Sequence, residues 1–102
     1  MVLIMVTAWY PPDKATEMAK KYIEVMQKFP TESFEKPLVT AGVRAVKDGI
    51  NVITITEVEK GKYEEAMNLI ARREVEYFGI EGFRFEMATL LTVEEAMPLI
   101  GL

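Results

Sequence analysis

The stretch PLVTAGVRAVKDGINVITITEV, Pro37 to Val58, decides the fold. It is two β-rich runs joined by Asp48-Gly49. Asp-Gly between apolar runs signals a hairpin, because a type I′ turn needs positive φ at both central residues. With those two residues as the loop, Lys47 faces Ile50, Arg44 faces Ile53, Gly42 faces Ile55 and Thr40 faces Glu57. Arg44, Gly42, Thr40 and their partners then share one face with Val46 and Asn51. The other face carries Val39, Ala41, Val43 and Ala45 with Val52, Thr54, Thr56 and Val58. Side chains alternate with period two, so a slip of one residue would invert the assignment. The second face is small and uncharged, as suits a surface under helices. The first mixes isoleucines with Arg44, Asn51 and Glu57, too apolar for open solvent and too polar for an ordinary core.

Upstream, VLIMVTAW (Val2 to Trp9) is apolar on both sides, with Val2, Ile4, Val6 and Ala8 opposing Leu3, Met5, Thr7 and Trp9. Such a strand is normally central. Pro11-Pro12 ends it, and Asp13 stands where an N-cap belongs. A helix follows to about Phe29, its apolar stripe running through Ala15, Met18, Ala19, Tyr22, Ile23, Met26 and Phe29. Its charged side reads as a solvated surface. Pro30 stops it, and Thr31 to Lys36 reads as a polar loop, with Phe34 exposed or folded back over a pocket.

Downstream, a second helix is expected from about Lys62 to Phe78, with Tyr63, Ala66, Met67, Ile70, Ala71, Val75 and Phe78 inward. Arg72-Arg73 lies between Glu64-Glu65 and Glu74, and intrahelical ion pairs account for it. Phe83 to Leu91 is the last strand, with Phe83, Phe85, Met87 and Thr89 on one side and Arg84, Glu86 and Ala88 on the other. Thr92 and Glu95 form a capping box that opens a short terminal helix. The order β-α-β-β-α-β plus that helix predicts an α+β, ferredoxin-like domain spanning residues 1–102. Right-handed crossovers put both long helices on one face of a four-stranded antiparallel sheet. The other face stays bare in a monomer. Leaving it wet costs ~25 cal/mol per Å² of apolar surface, so a homodimer with sheets face to face is expected.

Composition narrows the chemistry. Of 102 residues half are hydrophobic, and the net charge is -4. Mean hydropathy is +0.09 and the pI about 4.9, which argues against nucleic acid as a partner. An RNA-binding sheet would also want aromatic and basic residues together, whereas Phe83 and Phe85 alternate away from Arg84. Cysteine and histidine are both absent. That removes disulfides, thiolate nucleophiles, Ser-His triads and the usual haem and zinc ligands. No metal site and no cofactor is expected. The glycines form neither GxGxxG nor a P-loop. The first apolar run is too short to span a bilayer and lacks the flanks of a targeting segment, so a cytoplasmic protein with no membrane partner is expected.

The chain resembles the dimeric α/β-barrel superfamily over nearly its whole length, in VTAWYPP, the charged first helix, AVKDGINVITI and the last strand running into TVEEAMPLI. Its likeness is greatest to the small members of unassigned function. The resemblance implies a dimeric α/β barrel, the homodimer or a higher oligomer, and either a small-ligand module or a cofactor-independent monooxygenase or isomerase acting on a small aromatic substrate. The haem-dependent members use a histidine that this chain lacks.

The candidate site is the face between the sheets, where Trp9, Arg44, Asn51, Glu57, Arg84 and Glu86 would line a polar-rimmed cavity for a small molecule. Arg44–Glu57 and Arg84–Glu86 pairs fastening the dimer would explain the same charges. Tyr10 is the tyrosine best placed for chemistry, without an evident base beside it.

Overall fold

The computed structural model describes residues 2–102; Met1, where the first apolar run begins, lies outside them. The strands are β1 (Val2–Tyr10), β2 (Glu35–Val46), β3 (Gly49–Val58) and β4 (Arg84–Leu90). The helices are α1 (Ala15–Lys28), α2 (Tyr63–Val75) and α3 (Val93–Ala96), with single 3-10 turns before α1 and after α3. The sheet order is β2-β3-β1-β4, antiparallel throughout. This is the expected ferredoxin-like arrangement. The doubly apolar β1 is central, and its even side is the core side: Ile4, Val6, Ala8 and Tyr10 are buried. Its odd side faces away from the helices.

The hairpin register differs from expectation. Asp48 does not take positive φ; Gly49 alone does, at 132°. The loop is therefore Lys47-Asp48, still two residues but one place earlier than expected, and it closes on Val46 opposite Gly49. No other residue fits there, since a Cβ on Gly49 would lie 2.6 Å from the Tyr10 carbonyl oxygen. Partners move by two places, so Arg44 faces Asn51 and Gly42 faces Ile53. An even shift leaves each side chain on its face. Two irregularities further along, between Pro37 and Val39 and between Val39 and Gly42, change faces. Val39 thus pairs with Ile55 on the open side, while Thr40 turns toward the helices. Glu57 meets Lys36 instead of Thr40.

The core divides into two clusters. Ile4, Val6, Val58, Ala66 and Ile70 pack under α2, joined by Phe34, which folds inward. Tyr10, Met18, Val25, Tyr77 and Ile80 pack at the α1 end. The inward stripe of α1 is rotated from the expected one: Val25 is buried and Ile23 is 59% exposed. Asp13 is not an N-cap; it lies in the 3-10 turn that Pro11 and Pro12 begin. The second helix ends at Val75, three residues early, so Tyr77 turns inward and Phe78 outward. The capping box at α3 forms: Glu95 N–H donates to Thr92 Oγ1 at 3.2 Å, and Thr92 N–H donates to Glu95 Oε1 at 3.0 Å. The Thr92 backbone bond, then its hydroxyl, hold the Glu95 carboxyl below its ordinary range.

One ion pair ties three elements. Arg73 of α2 grips Glu35, the first residue of β2, through two bonds of 2.7 and 2.8 Å. The same guanidinium donates to the carbonyls of Phe29 and Pro30, at the end of α1, at 2.9 Å each. Arg73 is thus not balanced within its own helix, as the spacing suggested. Glu35, expected in a loop, has only 2% of its side chain exposed. Removing one partner of a buried pair strands the other, so Glu35→Ala or Arg73→Ala should cost about 3 kcal/mol or more in urea unfolding. Thr92→Ala, which loses one exposed cap, should cost about 1 kcal/mol. Equal, small losses at all three sites would contradict the clamp.

Candidate functional site

On the open face, four of the expected residues fall in one row across the sheet. The pairing Arg44–Asn51–Trp9–Arg84 runs over β2, β3, β1 and β4. Arg44 Nε donates to Asn51 Oδ1 at 2.9 Å, and the Asn51 amide donates to the Ala8 carbonyl at 3.0 Å. Asn51 is fully buried by this arrangement. The Arg84 guanidinium lies 4.5 Å from the centre of the Trp9 ring, a cation–π contact. Glu86 stands opposite Thr7, near this row. Glu57 is six residues along β3 from Asn51, about 20 Å at strand rise. It borders a shallow depression with Ser33, Phe34 and Glu59. The anticipated pairs therefore do not form among the described residues within one protomer. Arg44 binds an amide, and Arg84 binds a ring.

The larger concavity lies on the other side of the sheet. A cavity of about 480 Å³ opens between α1, α2 and the sheet. Its walls come from both core clusters, with Val6 and Ile70 on one side and Tyr10, Met18 and Val25 on the other. The exposed residues Ala15, Ala19 and Ile23 of α1 and Thr40, Ala41 and Val43 of β2 form its rim. The mouth is thus the gap between α1 and the outer strand. A sealed void of 480 Å³ would cost on the order of 10 kcal/mol, at about 24 cal/mol per Å³. That equals the net stability of a typical domain. The mouth is open, so water fills the space when no ligand does and that cost does not arise.

Polar groups enter this cavity at one end. Arg73 and Glu35 satisfy each other there. Glu74, the next residue of α2, also lines the wall. Burial in apolar surroundings pushes its carboxyl up to about 7, and the neighbouring Arg73 charge only partly opposes this. Burial, followed by the charges of Glu74 and Tyr22, raises the Tyr77 phenol beyond its ordinary range. Helical spacing on α2 groups Ile70, Arg73 and Glu74, which are three and four apart on one face, and Tyr77 joins them from the turn that follows the helix. That spacing was visible in the sequence. The charge at positions 73 and 74 disguised the face as solvated.

Glu74 makes folding pH-dependent with a definite sign. Its folded value lies above its ordinary 4.5, so the stabilisation of the protonated form is complete below about 4.5 and lost as pH rises through about 7. Measured against Glu74→Gln, whose amide does not titrate, the native chain should lose roughly 2–3 kcal/mol over that window. Denaturant midpoints at several pH values report the difference. Parallel profiles for the two chains would contradict the assignment.

No protein-family model and no curated protein sequence matches the chain. Solved structures do. A Deinococcus radiodurans protein, provisionally described as an antibiotic biosynthesis monooxygenase, superposes with TM-score 0.59 at 8% identity, covering 90% of this chain and 92% of that one. The de novo designed protein Foldit4 superposes with TM-score 0.57 at 15% identity, covering 89% and 96%. A Thermus thermophilus protein, provisionally described as PII-like signalling, reaches TM-score 0.44 at 19% identity over 95% of each chain, too loose a superposition to bear on the fold. One of these relatives in shape was designed from scratch, so topology alone carries no activity. The likenesses show a ferredoxin-like fold.

Proposed function

We propose that the chain binds a small, largely apolar molecule in the cavity between its helices and its sheet. The observation that carries this reading is the cavity itself: apolar walls, one polar end, and a size suited to a small organic ligand. The row Arg44–Asn51–Trp9–Arg84 then belongs to a homodimer contact on the opposite face, with Ile53 and Ile55 as its apolar centre. Sequence reasoning expected the ligand between the sheets; the cavity supports a location inside each protomer.

A second reading draws on Glu74. A carboxyl with a value near 7 in an apolar enclosure suits a general base at neutral pH. Such a base could take the proton of a small aromatic substrate, leaving an anion that isomerises or itself reacts with oxygen. The provisional description of the Deinococcus radiodurans protein is in keeping with that chemistry. Oxygen uptake with an electron-rich phenol, lost in Glu74→Gln, would favour the enzyme over the binding module.

Two outcomes test the leading reading. Phenylbutanol should bind in calorimetry, and Ala19→Trp, which fills the rim, should weaken it by about tenfold or more, with unchanged circular dichroism. No heat with the native chain would overturn it. In sedimentation velocity the native chain should run as a dimer and Ile55→Lys as a monomer. A native monomer would remove the dimer contact.

A further inference from the structure

The charges around the cavity do not balance. Arg73 and Glu35 form a closed pair, and the Arg73 guanidinium spends further donors on two carbonyls. It has no positive charge to spare for an anionic ligand. Glu74 is left over. Among the described residues its carboxylate accepts no hydrogen bond and joins no ion pair. No buried polar side-chain atom is sealed without a partner, so the Glu74 oxygens reach accessible space. The remaining titratable groups on the cavity wall are tyrosines: Tyr77 in the turn after α2, Tyr22 on α1 and Tyr10 on β1. None supplies a cation.

A carboxylate in apolar surroundings favours whatever neutralises it. Water and protons do this in the empty site. A ligand with a positive charge would do it better, because the charge pair forms where the dielectric is low. The walls add a second attraction. Tyr22, Tyr77 and Phe83 present aromatic rings to the same cavity, and ring faces draw cations. Tyr77 and Phe83 stack at 5.3 Å between centroids, so that part of the wall is pre-formed.

We infer that the cavity prefers a lipophilic cation, an apolar body carrying an ammonium group, with the Glu74 carboxylate as its counter-charge and the Tyr22, Tyr77 and Phe83 rings around it. This rests on the cavity being the ligand site and adds the chemical class. Anionic ligands of the same shape are disfavoured, because Glu74 repels them and Arg73 is already engaged.

Three probes of one shape test it: phenylbutyl trimethylammonium, phenylbutanol and phenylbutyrate. The quaternary cation does not titrate, so any pH effect belongs to the protein. Calorimetry at about pH 8 should show the cation binding about tenfold or more tighter than the alcohol, and the carboxylate weaker than both. At about pH 5.5, where Glu74 is largely protonated, the preference for the cation should fall by about tenfold. In Glu74→Gln the ratio of cation to alcohol affinity should lose both its excess and its pH dependence. Should that variant misfold, the pH series on the native chain decides alone. If the alcohol binds and the cation binds no tighter, the inference is wrong while the cavity stands. If none of the three binds, the cavity reading falls with it.

Discussion

Arg73 holds the structure's geometry in place. It sits on α2 and reaches the end of α1 through two carbonyls and the start of β2 through Glu35. Without it, the turn from α1 into the outer strand would lose its only bidentate anchor among the described residues. The spacing of α1 from the sheet depends on that turn, and the cavity is that spacing. Lys28–Glu76, at 3.0 Å, repeats the tie between the helices nearer solvent, where it is worth little by itself. The buried pair is not a large source of stability in its own right. Its value lies in fixing one arrangement of three elements.

A second constraint follows from supply. The sheet is apolar on both faces, and two long helices are available to cover one. Even there they do not cover it fully. The core gathers into two clusters, beneath α2 and at the α1 end, and the outer strand lies beyond both. Val43 of β2 is 62% exposed as a result. The opening between α1 and β2 is therefore a product of sheet width against helix number. Local stability should be lowest along this outer strand, with its two irregularities and few covered side chains, which suits the mouth of a binding site.

Much of the fold was legible in the chain. Alternation in β1 and β4 and the Thr92–Glu95 box each specify a local structure that the tertiary contacts leave unchanged, and both long helices form, although the inward stripe of α1 is rotated and α2 ends early. The hairpin was legible in kind but not in register, because a glycine at position 49 serves a two-residue loop at 48–49 or at 47–48, and the close Tyr10 carbonyl requires glycine without marking the loop. The bulges near Val39 are marked only by Pro37 and Gly42 at their outer ends, residues that suit a bulge without fixing where the register shifts. Site residues fared differently. Trp9, Arg44, Asn51 and Arg84 do come together in a row, which alternation could foresee. Glu35, Arg73 and Glu74 could not be assembled, because their meeting depends on how a loop returns from one helix to the sheet. Charged residues on a helix read as solvated until something is seen to cover them.

The central claim is that a small ligand enters between helices and sheet, not between two sheets. Isoleucine methyl signals separate these directly. Ile23 and Ile70 line the cavity, whereas Ile53 and Ile55 lie on the open face. On titration of the isotope-labelled protein with phenylbutanol, the methyl resonances of Ile23 and Ile70 should shift with saturation while those of Ile53 and Ile55 stay in place. Shifts confined to Ile53 and Ile55 would put the ligand on the sheet face and contradict the account.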